Sequence, residues 1–488
     1  MDLVEAADRW GNEYPDRAAH ISGGSVLTYR QLQDRSNRFA AYLRRELPHD
    51  GRPVAILGHK QNEMLIGFVG SIKAGHPYVP LDSSVPPQRV TTIVETAQAS
   101  LFSVGQVAEL TASDQPAAAA EHARLDTDDV WYVIFTSGST GDPKGVMITR
   151  GCLESFVGWT LDEQRFGIAR EVYLNQAPFS FDLSVMDLYS SLATAGTLFS
   201  ITQDDIAEPR RLFEALAGSG LSVWVSTPSF ARMCLMQPTF ARAMLPQVRK
   251  FWFCGETLAP DVAAELLRRF PGAEVWNTYG PTEATVATTS AQITEDVIAR
   301  HNPLPVGAVK PGSRVAIRNE AGEILESGEH GEVVIAGPNV SLGYLHRPDL
   351  TASAFIEVEG QRAYRTGDAG HFEGDLLFFD GRMDFQIKLH GYRIELGDIE
   401  SNIHKLRGIQ DAVVLPAMRD GRVEYLVAFA ILKGEQGATD FDLSQRLRLE
   451  LSKHLPDYMV PRRFIFVSEF PTTANGKIDR QQLAQAIP

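Results

Sequence analysis

The segment Thr136-Ser137-Gly138-Ser139-Thr140-Gly141-Asp142-Pro143-Lys144-Gly145 brings glycines, hydroxyls and a lysine together directly after the apolar run WYVIF. Backbone N–H groups left bare by glycine, with a cation beside them, can surround a phosphate. It is not a Walker A loop. That motif sets Lys directly after its second Gly and Ser or Thr after the Lys, whereas Asp142 and Pro143 intervene here and Gly145 follows. Composition alone leaves a plain glycine-rich turn and a phosphate loop equally open. Other residues with chemistry to offer are Lys477 in an Asn-Gly turn, Asp368 in YRTGD and Tyr279 in NTYG. Taken singly, a turn, a cap or core packing accounts for each of them.

The elements that would position such residues are visible in the hydrophobic pattern. The strand-like runs PVAILG, WYVIFTSG, VYLNQAP, SVWVSTP and KFWFCGE alternate with helix-like stretches. That alternation predicts α/β architecture with largely parallel sheets. From Val306 to Phe379 the pattern changes to short β-rich pieces, SRVAIRN, EVVIAG and LLFFDG, divided by Gly-containing turns. This predicts a compact β subdomain. After GRMDFQIKLHGYRIE come a helix, two strands (DAVVLPAM and EYLVAFAIL), a helix near Leu443 to Leu455 and the turn NGKIDR, enough for a second, small α+β domain. The alanine-rich patch around Ala117 to Ala120 reads as a solvated loop or frayed helix.

Composition sets outer limits. A chain of 488 residues exceeds what one hydrophobic core organises, and 44% hydrophobic with 22% charged residues describes an ordinary globular protein. The opening MDLVEAADRW lacks the basic lead and apolar run of a secretory signal, and apolar stretches such as Leu426 to Leu432 are too short to span a bilayer, so a cytoplasmic protein with no membrane insertion is expected. Cys152, Cys234 and Cys254 are scattered, without the clustering of a zinc site or disulfide framework. The net charge of -15 argues against general binding to nucleic acid or anionic lipid. The stretch from Phe385 onward is close to neutral, and the preceding part carries the acidity.

TSGSTGDPKG resembles the phosphate loop of the adenylate-forming superfamily, which comprises acyl-CoA synthetases, luciferases and peptide-synthetase adenylation domains. Five further motifs of that superfamily follow in order: NTYGPTEAT (Asn277 to Thr285), GEVVIAGPNVSLGY (Gly331 to Tyr344), YRTGD (Tyr364 to Asp368), GRMDFQIKLHGYRIE (Gly381 to Glu395) and NGKIDR (Asn475 to Arg480). The resemblance runs from about Leu27 to Arg480 and implies one two-domain enzyme. Its expected core, 1–384, is a large α/β domain of two parallel-sheet α/β subdomains and a small β-barrel-like subdomain. Residues 385–488 would form a small mobile α+β lid hinged near Asp384.

The resemblance also implies ATP and Mg²⁺ as cofactors and assigns roles. Lys477 would bridge the substrate carboxylate and the phosphoryl region, Glu283 would hold Mg²⁺, and Lys144 with the hydroxyls of Thr136, Ser137, Ser139 and Thr140 around Gly138 would steady the departing pyrophosphate. Asn277 and Tyr279 suit adenine, with Gly280 and Thr282 beside them. Asp368 would accept from the ribose hydroxyls, and Arg382 would contact ribose or phosphate. A cationic toolkit agrees with the chemistry: a carboxylate substrate is already a nucleophile, so positioning and charge neutralisation are what it needs.

An amino-acid substrate carries an ammonium, and burying that charge without an anion is costly. Asp182, in APFSFDLSVMD, falls where the amino-acid-activating branch places its ammonium-binding aspartate. GSIKAGHPYVP, NQAPFSFDLSVMDLY, STPSFARMCLM, FCGETL and RMDFQIKLHGYRIE are similar, more narrowly, to ligases that load D-alanine onto a carrier protein. There Cys254 would line a pocket sized for a methyl group, with Val286 at a second lining position. The expected activity is formation of alanyl-AMP followed by transfer to the phosphopantetheine thiol of a small acidic carrier protein. Loading of L-alanine or another small amino acid in natural-product biosynthesis stands as the alternative, with an acyl-CoA synthetase behind it. Arg407, Arg462 and Arg463 are candidate cations for docking an acidic carrier.

Overall fold

The computed structural model describes residues 3–113, 122–138, 142–162, 170–384, 386–389, 391–419, 422–434, 439–471 and 478–487. Its contacts divide the chain into two compact units: Met1–Ser83, Thr96–Ile134 and Gly145–Met383 form the first, and Ser84–Glu95, Phe135–Lys144 and Asp384–Pro488 the second.

The first unit is built on three sheets. One has nine strands, ordered Ala308–Val309, Thr289–Gln292, Glu274–Tyr279, Lys250–Phe253, Val223–Ser226, Val172–Asn175, Thr197–Ser200, Ala18–Ser22 and Ser25–Thr28. From Glu274–Tyr279 to Ala18–Ser22 the neighbours run parallel. Both margins are antiparallel, a feature that the strand pattern does not anticipate. Val223–Ser226 and Lys250–Phe253 are buried along their whole length, as expected for parallel strands covered on both faces. A five-stranded sheet, ordered Ser100–Ser103, Val54–Gly58, Tyr78–Asp82, Val130–Thr136 and Lys144–Thr149, carries the WYVIF run. The Val306–Phe379 region supplies the third, an antiparallel sheet ordered Arg314–Arg318, Gly331–Ala336, Gln361–Glu373 and Phe355–Val358, with Leu376–Arg382 also pairing on Gln361–Glu373.

Helix starts follow local chemistry. Thr28 opens the helix Tyr29–Glu46 with a reciprocal capping box to Gln31, and Ser103 does the same with Gln106 for Val104–Thr111. The helix Leu183–Ala193 is different. Every residue of its sequence, LSVMDLYSSLA, is buried, three serines and Asp187 included, so it is a core helix.

The second unit holds the hairpin Gln386–Leu389/Tyr392–Glu395 and a sheet of Ile409–Arg419, Arg422–Leu432 and Arg463–Phe466. Ile399 and Ile403 of helix Leu396–His404 and Leu443, Leu447 and Leu451 of helix Asp440–Leu451 pack with Ile409, Val414, Leu426 and Ala428 into its core.

Candidate active site

Open α/β sheets bind ligands beyond the carboxyl ends of their parallel strands. In the first unit Asn277 and Tyr279 end one such strand and Cys254 follows another. The Tyr279 hydroxyl donates to Asp368 Oδ2 at 2.5 Å, and Arg382 Nη1 donates to Asp368 Oδ1 at 2.6 Å and to the Thr366 carbonyl at 2.9 Å. Burial and then the Asp368 charge hold the Tyr279 phenol well above its ordinary range, so it remains a donor. An ionised carboxylate has about four acceptor positions. The two donors therefore fix its orientation and leave capacity for a diol. Asn277 donates through Nδ2 to the Pro305 carbonyl at 2.9 Å, while its buried Oδ1 has no partner among the described residues. An orphaned acceptor at this depth is costly unless a ligand amine meets it.

The turn after Tyr279 stores strain. Thr285 and Val286 sit at φ 52° and 67°, left-handed values that β-branched residues rarely adopt. Gly280 makes the fold-back possible, since a Cβ there would lie 2.6 Å from Ala287 Cα. Asn339 holds the turn in place. Its Nδ2 donates to the Ala284 carbonyl at 2.8 Å and to Thr288 Oγ1 at 2.9 Å, its carbonyl accepts from Thr285 Oγ1 at 2.7 Å, and its Oδ1 accepts from Ser313 at 2.6 Å. Asn339 lies inside the motif GPNVSLGY, and nothing local in that sequence marks its contacts with the turn. Within the same turn, Thr282 opens the short helix Thr282–Ala284, and the fully buried Glu283 accepts from the Tyr344 hydroxyl at 2.8 Å. Tyr344 closes the same motif, and its bond to Glu283 is likewise unmarked in the local sequence.

Cys254 and Val286 are brought together: the buried thiol lies 3.5 Å from the Val286 carbonyl. Asp182 precedes the core helix Leu183–Ala193, half-buried, and makes no capping bond to it. Its charge adds to burial in raising the Tyr132 phenol well above the ordinary range. The helix itself contributes Asp187 to a buried polar row. Asn175 donates to Asp187 at 2.6 Å and accepts from Ser200 at 2.7 Å, Ser200 meets His20 Nε2 at 2.8 Å, and Lys60 donates to the Asn175 and Gln176 carbonyls at 2.8 and 2.7 Å. Burial pushes Lys60 down to about 7 and His20 down to about 3, and pushes Asp187 up.

In the second unit the glycine-rich loop meets the hairpin. Ser137 Oγ donates to the Arg393 carbonyl and accepts from the Glu395 amide, both at 3.1 Å, and Lys144 Nζ lies 3.9 Å from Glu395 Oε1. Gly138 is obligatory, because a Cβ would collide with the Asp142 carbonyl. Thr136 Oγ1 is buried and has no partner among the described residues. Asp384 is exposed and accepts from the Gln386 amide at 3.0 Å. Ser139, Thr140 and Lys477, like the alanine-rich patch 117–120, lie outside the described residues.

The AMP-binding enzyme model matches residues 7–345, and the AMP-binding enzyme C-terminal domain model matches 398–477. The chain is 45% identical to D-alanine--D-alanyl carrier protein ligases of Bacillus cytotoxicus and Bacillus mycoides, covering all of both chains. In fold it is similar to the Vibrio cholerae adenylation domain AlmE, solved with glycyl-adenosine-5'-phosphate, at a TM-score of 0.84 and 23% identity over 100% of this chain and 97% of that one. A glycine-rich loop after a strand, a carboxylate fixed by Tyr279 and Arg382 and a strained turn bearing Glu283 are thus the fittings of a known scaffold, and the chain belongs to the AMP-binding enzyme family.

Proposed function

We propose that this protein activates D-alanine with ATP and transfers it to the phosphopantetheine thiol of a carrier protein. The observation that carries this reading is the likeness, at 45% identity over the entire chain, to ligases named for that reaction. The residues present fit ATP and Mg²⁺. Asn277 Oδ1 is a buried acceptor for the adenine amine, Thr136 Oγ1 is a buried hydroxyl for phosphate, and Glu283 offers the hard oxygen that Mg²⁺ prefers. Bound Mg²⁺ would neutralise phosphate charge.

In this reading Asp368 accepts from the ribose hydroxyls and Arg382 adds positive charge beside them, with Gly280 and Thr282 shaping the turn under the base. Asp182 pairs with the substrate ammonium, and Cys254 with Val286 limits the pocket to a methyl group. The substrate carboxylate oxygen forms a bond to the α-phosphorus as the bond to the β-phosphate oxygen breaks and pyrophosphate leaves. Lys477 bridges the substrate carboxylate and the phosphoryl region, while Lys144 and the loop hydroxyls of Ser137, Ser139 and Thr140 balance the charge that moves onto the leaving group. The thiol sulfur then displaces AMP from the carbonyl carbon. Residues 1–384 act as the core and 385–488 as a lid turning at Asp384, which carries Lys477 out between the two steps. Arg407, Arg462 and Arg463 are exposed on the second unit and suit an acidic carrier. A cytoplasmic location agrees with three buried cysteines that form no disulfide and with a need for ATP.

ATP–pyrophosphate exchange across D-alanine, L-alanine, glycine, serine and propionate tests the reading. D-Alanine is expected to support the fastest exchange, Asp182→Ala to abolish it, and Cys254→Ala to admit larger side chains. Exchange with propionate that equals D-alanine and survives Asp182→Ala would contradict amino-acid activation. A preference for L-alanine would point to loading in natural-product biosynthesis.

A further inference from the structure

The antiparallel sheet of the first unit gathers two imidazoles and a carboxylate that the adenylation chemistry does not use. His330 immediately precedes the strand Gly331–Ala336, His371 lies in the central strand Gln361–Glu373, and Asp380 lies in Leu376–Arg382, so two adjacent strands and the residue leading into a third each contribute one side chain. Register explains the meeting. Gly331 pairs with Gly370, which sets His330 across from His371. On the other side Gly381 pairs with Ala369 and Phe379 with Gly370, so Asp380 is the extra residue of a β-bulge. A bulge frees a residue from the ladder and re-aims its side chain. The Asp380 carboxylate accordingly lies 2.6 Å from His330 Nδ1 and 2.9 Å from His371 Nδ1, and all three donor atoms fall within 4.8 Å of one another.

We propose that His330, His371 and Asp380 form a binding site for a divalent transition metal of the zinc class. Zinc–nitrogen bonds of about 2.0–2.1 Å place tetrahedral ligand atoms roughly 3.3 Å apart, a separation reached by small rotations of these side chains. Two of the three ligands are imidazole nitrogens, which favour zinc, nickel or copper over the oxygen-seeking Mg²⁺ of the adenylation step. The fourth position is open to water. Supporting groups are present. The His371 ring stacks on Phe378 at 5.3 Å, and its Nε2 lies 3.7 Å from Glu373, which in turn lies 3.6 Å from His301 Nδ1. An imidazole ligand backed by a carboxylate on its second nitrogen is the usual outer shell of a zinc site. The bulge sits in the strand pair that joins Asp368 to Arg382, so metal there would clamp the strands bearing the Asp368 carboxylate.

The test is zinc binding by the full-length chain without a polyhistidine tag, stripped with chelator and titrated calorimetrically in excess Mg²⁺. Burial of all three cysteines keeps thiols from competing. One equivalent is expected to bind, to raise the melting temperature, and to give the visible bands of tetrahedral cobalt when Co²⁺ replaces it. The exposed His330→Ala should keep the wild-type fold and metal-free melting temperature yet bind zinc more than about tenfold more weakly, and Asp380→Asn should do the same. No zinc uptake by the wild type in excess Mg²⁺ would overturn the proposal, as would both variants binding zinc as tightly as the wild type.

Discussion

The two units hold their polar groups with different partners, side chains in the first and a backbone hairpin in the second. In the first, Asp368 is clamped by Tyr279 and Arg382, Glu283 is held by Tyr344, and Asn339 locks a turn with two residues at left-handed φ. These groups are buried and arranged before any ligand arrives. In the second, Ser137 and Lys144 are engaged with the hairpin residues Arg393 and Glu395, and Asp384 stands exposed at the start of the unit's longest segment. Under the proposed function the first set recognises nucleotide and amino acid and is arranged beforehand, while Ser137 and Lys144 serve the charge that moves during adenylation.

The largest effect should come from the charge-handling residues. Lys477→Ala is expected to lower alanine-dependent pyrophosphate exchange by about a thousandfold, in the range found when one charge-stabilising donor is removed from an active site, with ATP binding retained. Thioester formation from preformed alanyl-adenylate should survive, and parallel loss of both steps would erase the distinction. Asp384→Pro should come next. Fixing φ at the turn is expected to slow carrier loading by about a hundredfold or less while exchange is largely preserved; stopped-flow and exchange assays on one preparation separate the two.

Asn339→Ala probes the preorganised set. Removing a buried side chain that makes three hydrogen bonds should destabilise the fold by about 1–3 kcal/mol and let Val286 relax. The Michaelis constant for D-alanine should rise about tenfold with a smaller change in kcat. Unchanged kinetics in a destabilised variant would reduce Asn339 to packing.

The smallest effect is a pH slope. His20, pushed down to about 3 by burial, excludes a proton that the unfolded chain accepts below about 6.5. A group with a lowered folded value favours folding above the unfolded value and loses that contribution as pH falls toward the folded one. From about pH 7.5 to about pH 5 this residue should therefore cost about 2 kcal/mol of stability, read by urea unfolding, and His20→Asn should remove that part of the slope. An identical slope in the variant would show that His20 is protonated in the fold.

How much of this was legible in the sequence depends on the range of each interaction. The strand runs, the change to β pieces after Val306 and the helix and two strands after Glu395 are written in local periodicity, and the structure has them at Leu396–His404, Ile409–Arg419 and Arg422–Leu432. The helix expected near Leu443 to Leu455 instead spans Asp440–Leu451, because Thr439 caps it earlier. The family itself was legible in its ordered motifs, and the matching family models span 7–345 and 398–477. What was not legible is pairing at long range. Tyr344 reaches Glu283 across 61 positions and Asn339 reaches Ala284 across 55, and no spacing rule joins them. Strain at Val286 and the Asp380 bulge depend on register and were likewise hidden.

The central claim, delivery of activated D-alanine to a carrier thiol, is tested most directly by intact mass spectrometry of a phosphopantetheinylated acidic carrier protein after incubation with enzyme, Mg²⁺, ATP and D-alanine. One alanyl residue should be added per carrier, be released by hydroxylamine, and form faster from D- than from L-alanine. An unmodified carrier in the presence of accumulating alanyl-adenylate, or alanyl-CoA formed in preference, would contradict it.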